Sequence, residues 1–500
     1  MHYFVQLNHL PLEIVTDSLE WTDGGAILSG QEVKLQGSFD PIRFYRHGFH
    51  SWSLTRWMPL DSPIEPPLIK DLWPQMDDSR LFEDYPSSSS GVGAMEFSDQ
   101  QVLLLGALDL EAQVVADKRS LVGRCMSSQD RQGRPPPSNH PCRWFMAYGT
   151  EAQVFSLYAG LLKGCFGRRS ERRPPRVWCS WYSLYGMIDE DTLLEALRGW
   201  RGMPFDFFQI DDGWQSAIGD WHPNPKFPSG MEYIAEQIHN EGYRAGIWLS
   251  PFIVQPASDI YRKHTDWLLC DERGNPIPAG HNWGDVFYAL DVTHPDVQEW
   301  LAHLIYEVRG WGYDYLKLDF LYAAALQGRR YQDMGAESTY RRGLEVLNQA
   351  AGNAYLLACG APIFASLGLV DGVRIGPDVA PYWAIPSRFA RLHDYSAPSS
   401  QNALRTAIHR LWLRDLVHID PDIVFFRTRY NLLSPREKQF LIWLAQISGF
   451  RATSDLPDWL DWDEQQALHA FLSSSPTIQR IDRYRFNIDG LEINFSSAVG

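Results

Sequence analysis

The sequence predicts an α/β protein: a (β/α)8 TIM barrel with an N-terminal β-sandwich and a short C-terminal β-rich segment. Strand-like and helix-like runs alternate from about residue 175 to 450, the grammar of a parallel sheet. Before them, residues 1–165 offer short apolar runs between turn clusters and no long helical period. After them come only two further strand-like runs. The predicted domains are therefore 1–170, 175–450 and 451–500. A chain of 500 residues is too long for one ordinary core, which agrees with a large barrel plus more than one addition.

Taken in order, the sandwich rests on runs such as Val33–Gln36 and Val102–Leu105. Turn clusters at Asp23-Gly24-Gly25, Ser87–Gly91 and Gly133–Asn139 separate the strands. The arginine-dense stretch Gly167–Arg176, with Pro174-Pro175, reads as a solvated interdomain linker. The barrel opens with a strand at Arg176–Trp181 and a helix near Asp191–Trp200, whose Leu193, Leu194, Leu197 and Trp200 share one face. Strands at Phe205–Asp211 and Arg244–Leu249 flank a helix near Met231–Asn240 that stops before Gly242. Val297, Leu301, Leu304, Ile305 and Val308 mark a helix leading to a strand at Tyr315–Phe320. Further strands are expected at Ala354–Cys359, Gly372–Ile375 and Leu416–Ile419. Arg483–Asn487 and Leu491–Asn494 make the C-terminal β segment.

Composition excludes several classes. A net charge of −16 argues against nucleic acid or an anionic membrane as partner. No apolar run reaches the roughly 18 residues that span a bilayer, and the first residues lack the basic and apolar regions of a signal peptide. The six cysteines form no C-x-x-C, which points to neither a disulfide framework nor a zinc site. No H-E-x-x-H, P-loop or G-x-S-x-G occurs. The expectation is a cytoplasmic protein without metal or cofactor.

Chemistry concentrates at predicted strand ends, where barrel enzymes place their sites. Tyr315, Lys317 and Asp319 share one face of an apolar strand, and buried charge is costly unless paired or functional. Arg374 and Asp378 repeat the pairing of a cation with an aspartate further on. Asp211-Asp212, Ser180-Trp181, Trp248 and Cys359-Gly360 complete a mouth of carboxylates, cations and indoles suited to a neutral polyol. Two carboxyl groups about 5–5.5 Å apart serve a retaining glycosidase, one attacking C1 and one protonating the leaving oxygen. Asp319 reads as the nucleophile, kept ionised by Lys317. Asp378, on a loop after Pro377, reads as the acid/base, with Arg374 held away from it on a sugar hydroxyl.

These segments also carry a resemblance. Trp178-Cys179-Ser180-Trp181-Tyr182, Phe208–Gly213, Gly246-Ile247-Trp248, Lys317–Phe320 and Asp371–Asp378 resemble, in order, the α-galactosidases (melibiases) of glycoside hydrolase family 36. The resemblance implies a β-sandwich, a catalytic barrel and a C-terminal β-domain, with retention of configuration and no metal. It implies Asp319 as nucleophile and Asp378 as acid/base. It also implies Asp211 and Asp212 at the O4 and O6 hydroxyls, Lys317 and Arg374 on ring hydroxyls, Trp248 as a pocket wall, and Cys359-Gly360 near O2. Gly48–Ser53 resembles a sandwich loop leaning over the site, so that Trp52 would close the pocket. The C-terminal region is short for the family's β-domain. The family includes tetramers and other assemblies, so the resemblance leaves a homo-oligomer open.

The expected activity is exo-acting release of terminal α-linked galactose from a small-molecule galactoside. Rival readings are an α-galactosyl transferase or transglycosylase and an α-N-acetylgalactosaminidase on the same scaffold, a non-catalytic sugar-binding protein, and a metal-dependent sugar isomerase. Individually, Trp178, Trp181 and Trp248 read as core, and strand-end placement moves only Trp181 and Trp248 to the mouth. Asp211-Asp212 alone could be a helix cap, and Lys317 a structural partner of Asp319. Cys359 alone is a small buried hydrophobe, and His418–Asp422 reads as a brace of the barrel.

Overall fold

Period-two alternation builds the first part of the chain. Leu10, Leu12 and Ile14 point inward from one strand, and Val33 and Leu35 from another, while their neighbours stay partly exposed. A computed structural model describes residues 1–7, 10–62, 88–125, 141–385 and 395–499. In it these strands form a six-stranded and a seven-stranded antiparallel sheet. Leu12, Ile14 and Leu35 of one sheet meet Leu28, Phe44 and Met146 of the other in a common core. The turn expected at Asp23-Gly24-Gly25 joins Ser18–Thr22 to Gly25–Ser29, with Gly24 at φ +91°, where a side chain would be strained. The turn cluster at Gly133–Asn139, and Ser87 of its neighbour, lie outside the described residues. A disulfide joins Cys125 to Cys142, with Cα atoms 6.3 Å apart. A single pair of this kind leaves no pattern in cysteine spacing.

Eight parallel strands follow, in one curled sheet: β1 Arg176–Cys179, β2 Phe207–Ile210, β3 Arg244–Leu249, β4 Tyr313–Leu318, β5 Tyr355–Ala358, β6 Gly372–Arg374, β7 His418–Asp420 and β8 Arg451–Thr453. Neighbours in sequence are neighbours in the sheet from β1 to β7, and β8 returns to pair with β1. The seam between β7 and β8 has no ladder. It is spanned by one parallel bridge, Val424 to Thr453, with the Val424 N–H donating to Ala452 O at 2.9 Å. The expected strands and helices lie within a few residues of their predicted places: Arg244–Leu249 is reproduced, and the helices are Glu190–Gly199, Gly230–Asn240 and Pro295–Gly310. An excursion of three short strands, Ile253–Val254, Pro278–Asn282 and Asp285–Ala289, separates β3 from the helix that follows.

Three expectations change. Residues 1–165 do hold most of a long helix, Glu151–Phe166, capped by the Thr150–Gln153 box, and Val154, Phe155, Tyr158, Ala159 and Leu162 form its buried face. Gly160 and Gly164 obscure the helical signal in the sequence. The arginine-rich linker is solvated at Glu171–Arg173, as expected, but is strapped down on either side. Arg169 is almost buried and binds Asp371, Ala354 O at 2.8 Å and Asn348 Oδ1 at 2.7 Å, while Arg173 and Arg176 share Asp206. The parallel sheet also continues past residue 450, because Arg451–Thr453 pairs with β1 and carries its own helix, Trp462–Ser473.

The C-terminal three-stranded meander, Ile478–Arg480, Arg485–Ile488 and Leu491–Asn494, begins after that helix. Arg483 clasps Glu96 at 2.8 Å and Glu151 at 2.6 Å, and Arg480 binds Glu151 at 2.6 Å, tying this end to the N-terminal domain. No helix among the described residues is long and apolar enough to cross a membrane.

Candidate active site

On β4 the alternation predicted from sequence becomes a column. Tyr315 stacks on Tyr355 with ring centroids 5.2 Å apart and meets Phe207 at 5.0 Å, forming an aromatic floor. Lys317 lies one step higher and Asp319 at the strand's end, all on one face. Lys317 Nζ reaches Asp211 Oδ2, across at the end of β2, at 2.7 Å; Asp319 Oδ2 is 4.0 Å away. Asp319 is held instead by two N–H donors. The Trp248 indole donates to Oδ2 at 3.0 Å and the Phe320 backbone to Oδ1 at 2.9 Å.

Lys317, expected to keep Asp319 ionised, lies at ion-pair distance and favours its anion, a role it shares with these two donors. Burial pushes the Asp319 carboxyl up, Lys317 only partly opposes it, and the charge of Asp378 adds to the rise. Asp211 goes the other way. Burial would raise it, but Lys317 and hydrogen bonds from Asp212 N and Gln209 outweigh burial and hold it below the usual carboxylate range. Lys317 is stabilised as a cation by the same partner. Asp212 is pushed up by burial; it accepts from Gln215 Nε2 at 2.6 Å and the Trp283 indole at 2.5 Å.

Arg374, at the end of β6, departs from its expected place. Its Nη1 lies 3.0 Å from Asp378 Oδ1 rather than far from it, and its Nε donates to Asp420 Oδ2 at 2.7 Å. The turn Gly376-Pro377 brings Asp378 back over the guanidinium.

A cavity of about 410 Å³ opens over these groups. Eight of the predicted residues line it: Trp52, Trp181, Asp211, Asp212, Trp248, Lys317, Asp319 and Asp378. Trp178 stays in the core, stacked on Phe208 at 4.0 Å. Arg374, Cys359 and Gly360 are not in the lining. Cys359 is buried, its thiol pushed well up by that burial. Gly360 sits at φ +55°, where a Cβ would come within 2.9 Å of the Trp52 ring. Its contribution is to make room for that indole.

Trp52 arrives from the N-terminal domain on a docked loop. Ser51 N donates to Ala361 O at 3.1 Å, Ile363 N donates to Phe49 O at 3.1 Å, and Arg410 donates to the carbonyls of Gly48, His50 and Ser51. The sequence reading missed Tyr182, Tyr185, Asn282, Trp283 and Tyr382, which also line the cavity. Trp283 stands at φ +53° before Gly284, in the turn of the hairpin beyond β3. Among the described residues no group of three or more His, Cys, Asp or Glu is placed to hold a metal ion.

Comparison with known proteins follows this geometry. Residues 149–349 match the family model described as Melibiase. A stretch of 156 residues is 29% identical to α-galactosidase AgaA of Geobacillus stearothermophilus, covering 30% of this chain and 20% of that protein. The matched stretch thus spans only about a fifth of this curated relative. The crystal structure of AgaA superposes with a TM-score of 0.60 at 14% identity, covering 95% of this chain and 72% of the other, a likeness of fold. TtGalA, an α-galactosidase of Thermus thermophilus solved with p-nitrophenyl α-D-galactopyranoside, is 46% identical over 100% of both chains, with a TM-score of 0.92. The same protein solved with stachyose gives 47% identity and a TM-score of 0.88, over 95% of this chain and 99% of that one. Identity of this degree over the whole of both chains, with the paired aspartates facing one cavity, means that the chain belongs to the melibiase family of α-galactosidases, glycoside hydrolase family 36.

Proposed function

We propose that this protein is an exo-acting, retaining α-galactosidase in which Asp319 is the nucleophile and Asp378 the acid/base. The observation that carries the proposal is that Asp319 and Asp378 face the same cavity, beside the Asp211–Lys317 pair. In the first step an Asp319 oxygen bonds to C1 of the galactosyl unit. The C1–O bond to the leaving group breaks, and Asp378 gives its proton to the departing oxygen. In the second, Asp378 takes a proton from water, whose oxygen attacks C1 and releases Asp319. Two inversions give net retention.

The Trp248 and Phe320 N–H groups fix the direction of the Asp319 oxygens and supply the hydrogen bonds that favour its anion. Asp211, Asp212 and Lys317 are assigned to the sugar's hydroxyls, with Trp248 as a wall. Arg374 is assigned to Asp378 and to the O2 side, where Cys359 and Gly360 form the second layer. That TtGalA was solved with a nitrophenyl galactoside and with stachyose supports a galactosyl oligosaccharide as substrate class.

The architecture proposed with this function is a β-sandwich over residues 1–170, a closed (β/α)8 barrel from 175 to the helix ending at Ser473, and a meander beyond. Closure rests on the Val424–Thr453 bridge. A homo-oligomer is proposed on the family resemblance alone, and light scattering tests it. A cytoplasmic location is proposed on the sequence reading alone; the Cys125–Cys142 disulfide speaks against it, and cell fractionation tests it.

The deciding experiment is hydrolysis of 4-nitrophenyl α-D-galactopyranoside by wild type and Asp319→Ala, with proton NMR of the anomer first released. Turnover that yields α-galactose first and falls at least about 10,000-fold in the variant supports the proposal. Initial β-galactose would refute retention, and absence of turnover would favour a binding protein.

A further inference from the structure

Directly behind Asp378 lies a second carboxylate that the mechanism above does not use. Asp422, two residues beyond the end of β7, is 1% exposed. Its Oδ2 gathers three contacts: the Val379 N–H donates at 2.9 Å, the Tyr182 hydroxyl donates, and Arg374 Nη1 lies 3.0 Å away. Its Oδ1 accepts from Ile423 N at 2.8 Å. The backbone at Asp422 is at φ +82°, a region rarely occupied by a side-chain-bearing residue, and its own N–H is tied to Asp420 Oδ1 at 2.8 Å. Strain of this kind persists where surrounding contacts over-determine it, and it directs the carboxylate at one target.

That target is the Asp378 loop. Val379, which Asp422 holds by its N–H, is the next residue after Asp378. Arg374 Nη1, which Asp422 faces, is the same nitrogen that lies 3.0 Å from Asp378 Oδ1. One guanidinium thus serves three carboxyls, with Asp420 on its Nε. The positive charge of Arg374 faces the group proposed to protonate the leaving oxygen.

We infer that Asp422 is a positioning residue for Asp378: it fixes the loop that carries Asp378 and offsets the charge of Arg374, so that Asp378 retains a proton for the leaving group. The inference rests on the acid/base assignment proposed above. The groups facing Asp422 are Arg374 from β6, Asp378 from the following loop, Asp420 from β7, and Tyr182 and Cys179 from β1 and the turn after it. Burial pushes the Asp422 carboxyl up to about 7, Arg374 opposing and Asp378 and Asp420 reinforcing the rise. As Asp422 ionises near neutrality, its new negative charge favours the proton on Asp378. The working range of the acid extends to higher pH in consequence.

Asp422→Asn keeps an oxygen for Val379 and Tyr182 and removes the charge, together with the acceptor for Ile423 N. With the full-length variant, the basic limb of the kcat/KM profile on melibiose should move about one pH unit toward acid. At pH 7.5, kcat/KM on melibiose should fall about tenfold or more, while the galactosylation burst with 2,4-dinitrophenyl α-galactoside, which needs no acid, falls less than about threefold. An unmoved basic limb, or equal losses on both substrates, would overturn the inference and leave Asp422 a structural brace. If Asp422→Asn does not fold, Tyr182→Phe decides. Losing one donor makes Asp422 harder to ionise and should move the same limb in the same direction; no movement would again overturn it. Wild-type turnover lost in Asp319→Ala isolates this test, because the proposed function can stand while the role of Asp422 fails.

Discussion

Lys317 Nζ lies 2.7 Å from Asp211 Oδ2 and 4.0 Å from Asp319 Oδ2, so one buried ammonium joins β2 to β4 beneath the carboxylates of the cavity. Removing it should be costly in a particular way. Lys317→Met leaves the buried Asp211 without its cation, and breaking such a pair on one side destabilises by about 3–5 kcal/mol. Urea unfolding of the two proteins measures it. A loss below about 1 kcal/mol would mean that water reaches Asp211 and that the pair is not structural.

The same pair sets a pH dependence. A carboxyl held below its ordinary range, as Asp211 is, adds stability above the unfolded pKa and loses it as pH falls through the folded value. Wild type should therefore lose melting temperature between pH 4 and 2 more steeply than Asp211→Asn, which never has that contribution. Parallel curves from thermal melts across this range would contradict the sign.

Trp248 gives a prediction about chemistry rather than folding. Its indole N–H is one of two donors on Asp319 and opposes the rise that burial imposes. Trp248→Phe keeps most of the wall and removes the donor. The acidic limb of kcat/KM should move to higher pH, and kcat should fall about 10- to 100-fold. A raised KM with an unmoved limb would make Trp248 a wall and nothing more.

Gly360 tests how the cavity is closed. A methyl group there meets the Trp52 ring at 2.9 Å, on a backbone at φ +55° that favours glycine. Gly360→Ala should displace the indole and raise KM for galactosides about tenfold, close to the effect of Trp52→Ala. The double variant should add little to either single change, because both remove the same contact. Full additivity would separate the two residues.

The legible parts of this fold are those where one local rule decides. Period two placed Tyr315, Lys317 and Asp319 on one face, and strand-end position brought Asp211, Asp212 and Trp248 to the cavity. The illegible parts depend on where the chain goes after leaving a strand. Arg374 and Asp378 stand at even spacing, but the strand ends at Arg374, and a turn rather than the pleat sets their contact. Trp283 reaches the cavity on a hairpin inserted after β3, which helix and strand periodicity do not describe. Cys359 and Gly360 stand at the end of β5 yet fall behind the lining, because the space above them is filled by Trp52, from the other domain. Asp420 and Asp422 read from sequence as a brace of the barrel; both face Arg374 from the neighbouring strand, a contact that only proximity in the fold reveals.

The loop that carries Trp52 is secured by Arg410, whose guanidinium holds the carbonyls of Gly48, His50 and Ser51. One face of the sugar-sized hollow is thus contributed by a part of the chain that holds none of the reacting groups. Removing that part of the chain would open the flank of the proposed catalytic carboxyls and uncover a core that it shares with the barrel. For the engineer, the rim becomes a separate dial: residues 48–53 could be redesigned to admit bulkier glycosides without disturbing any parallel strand.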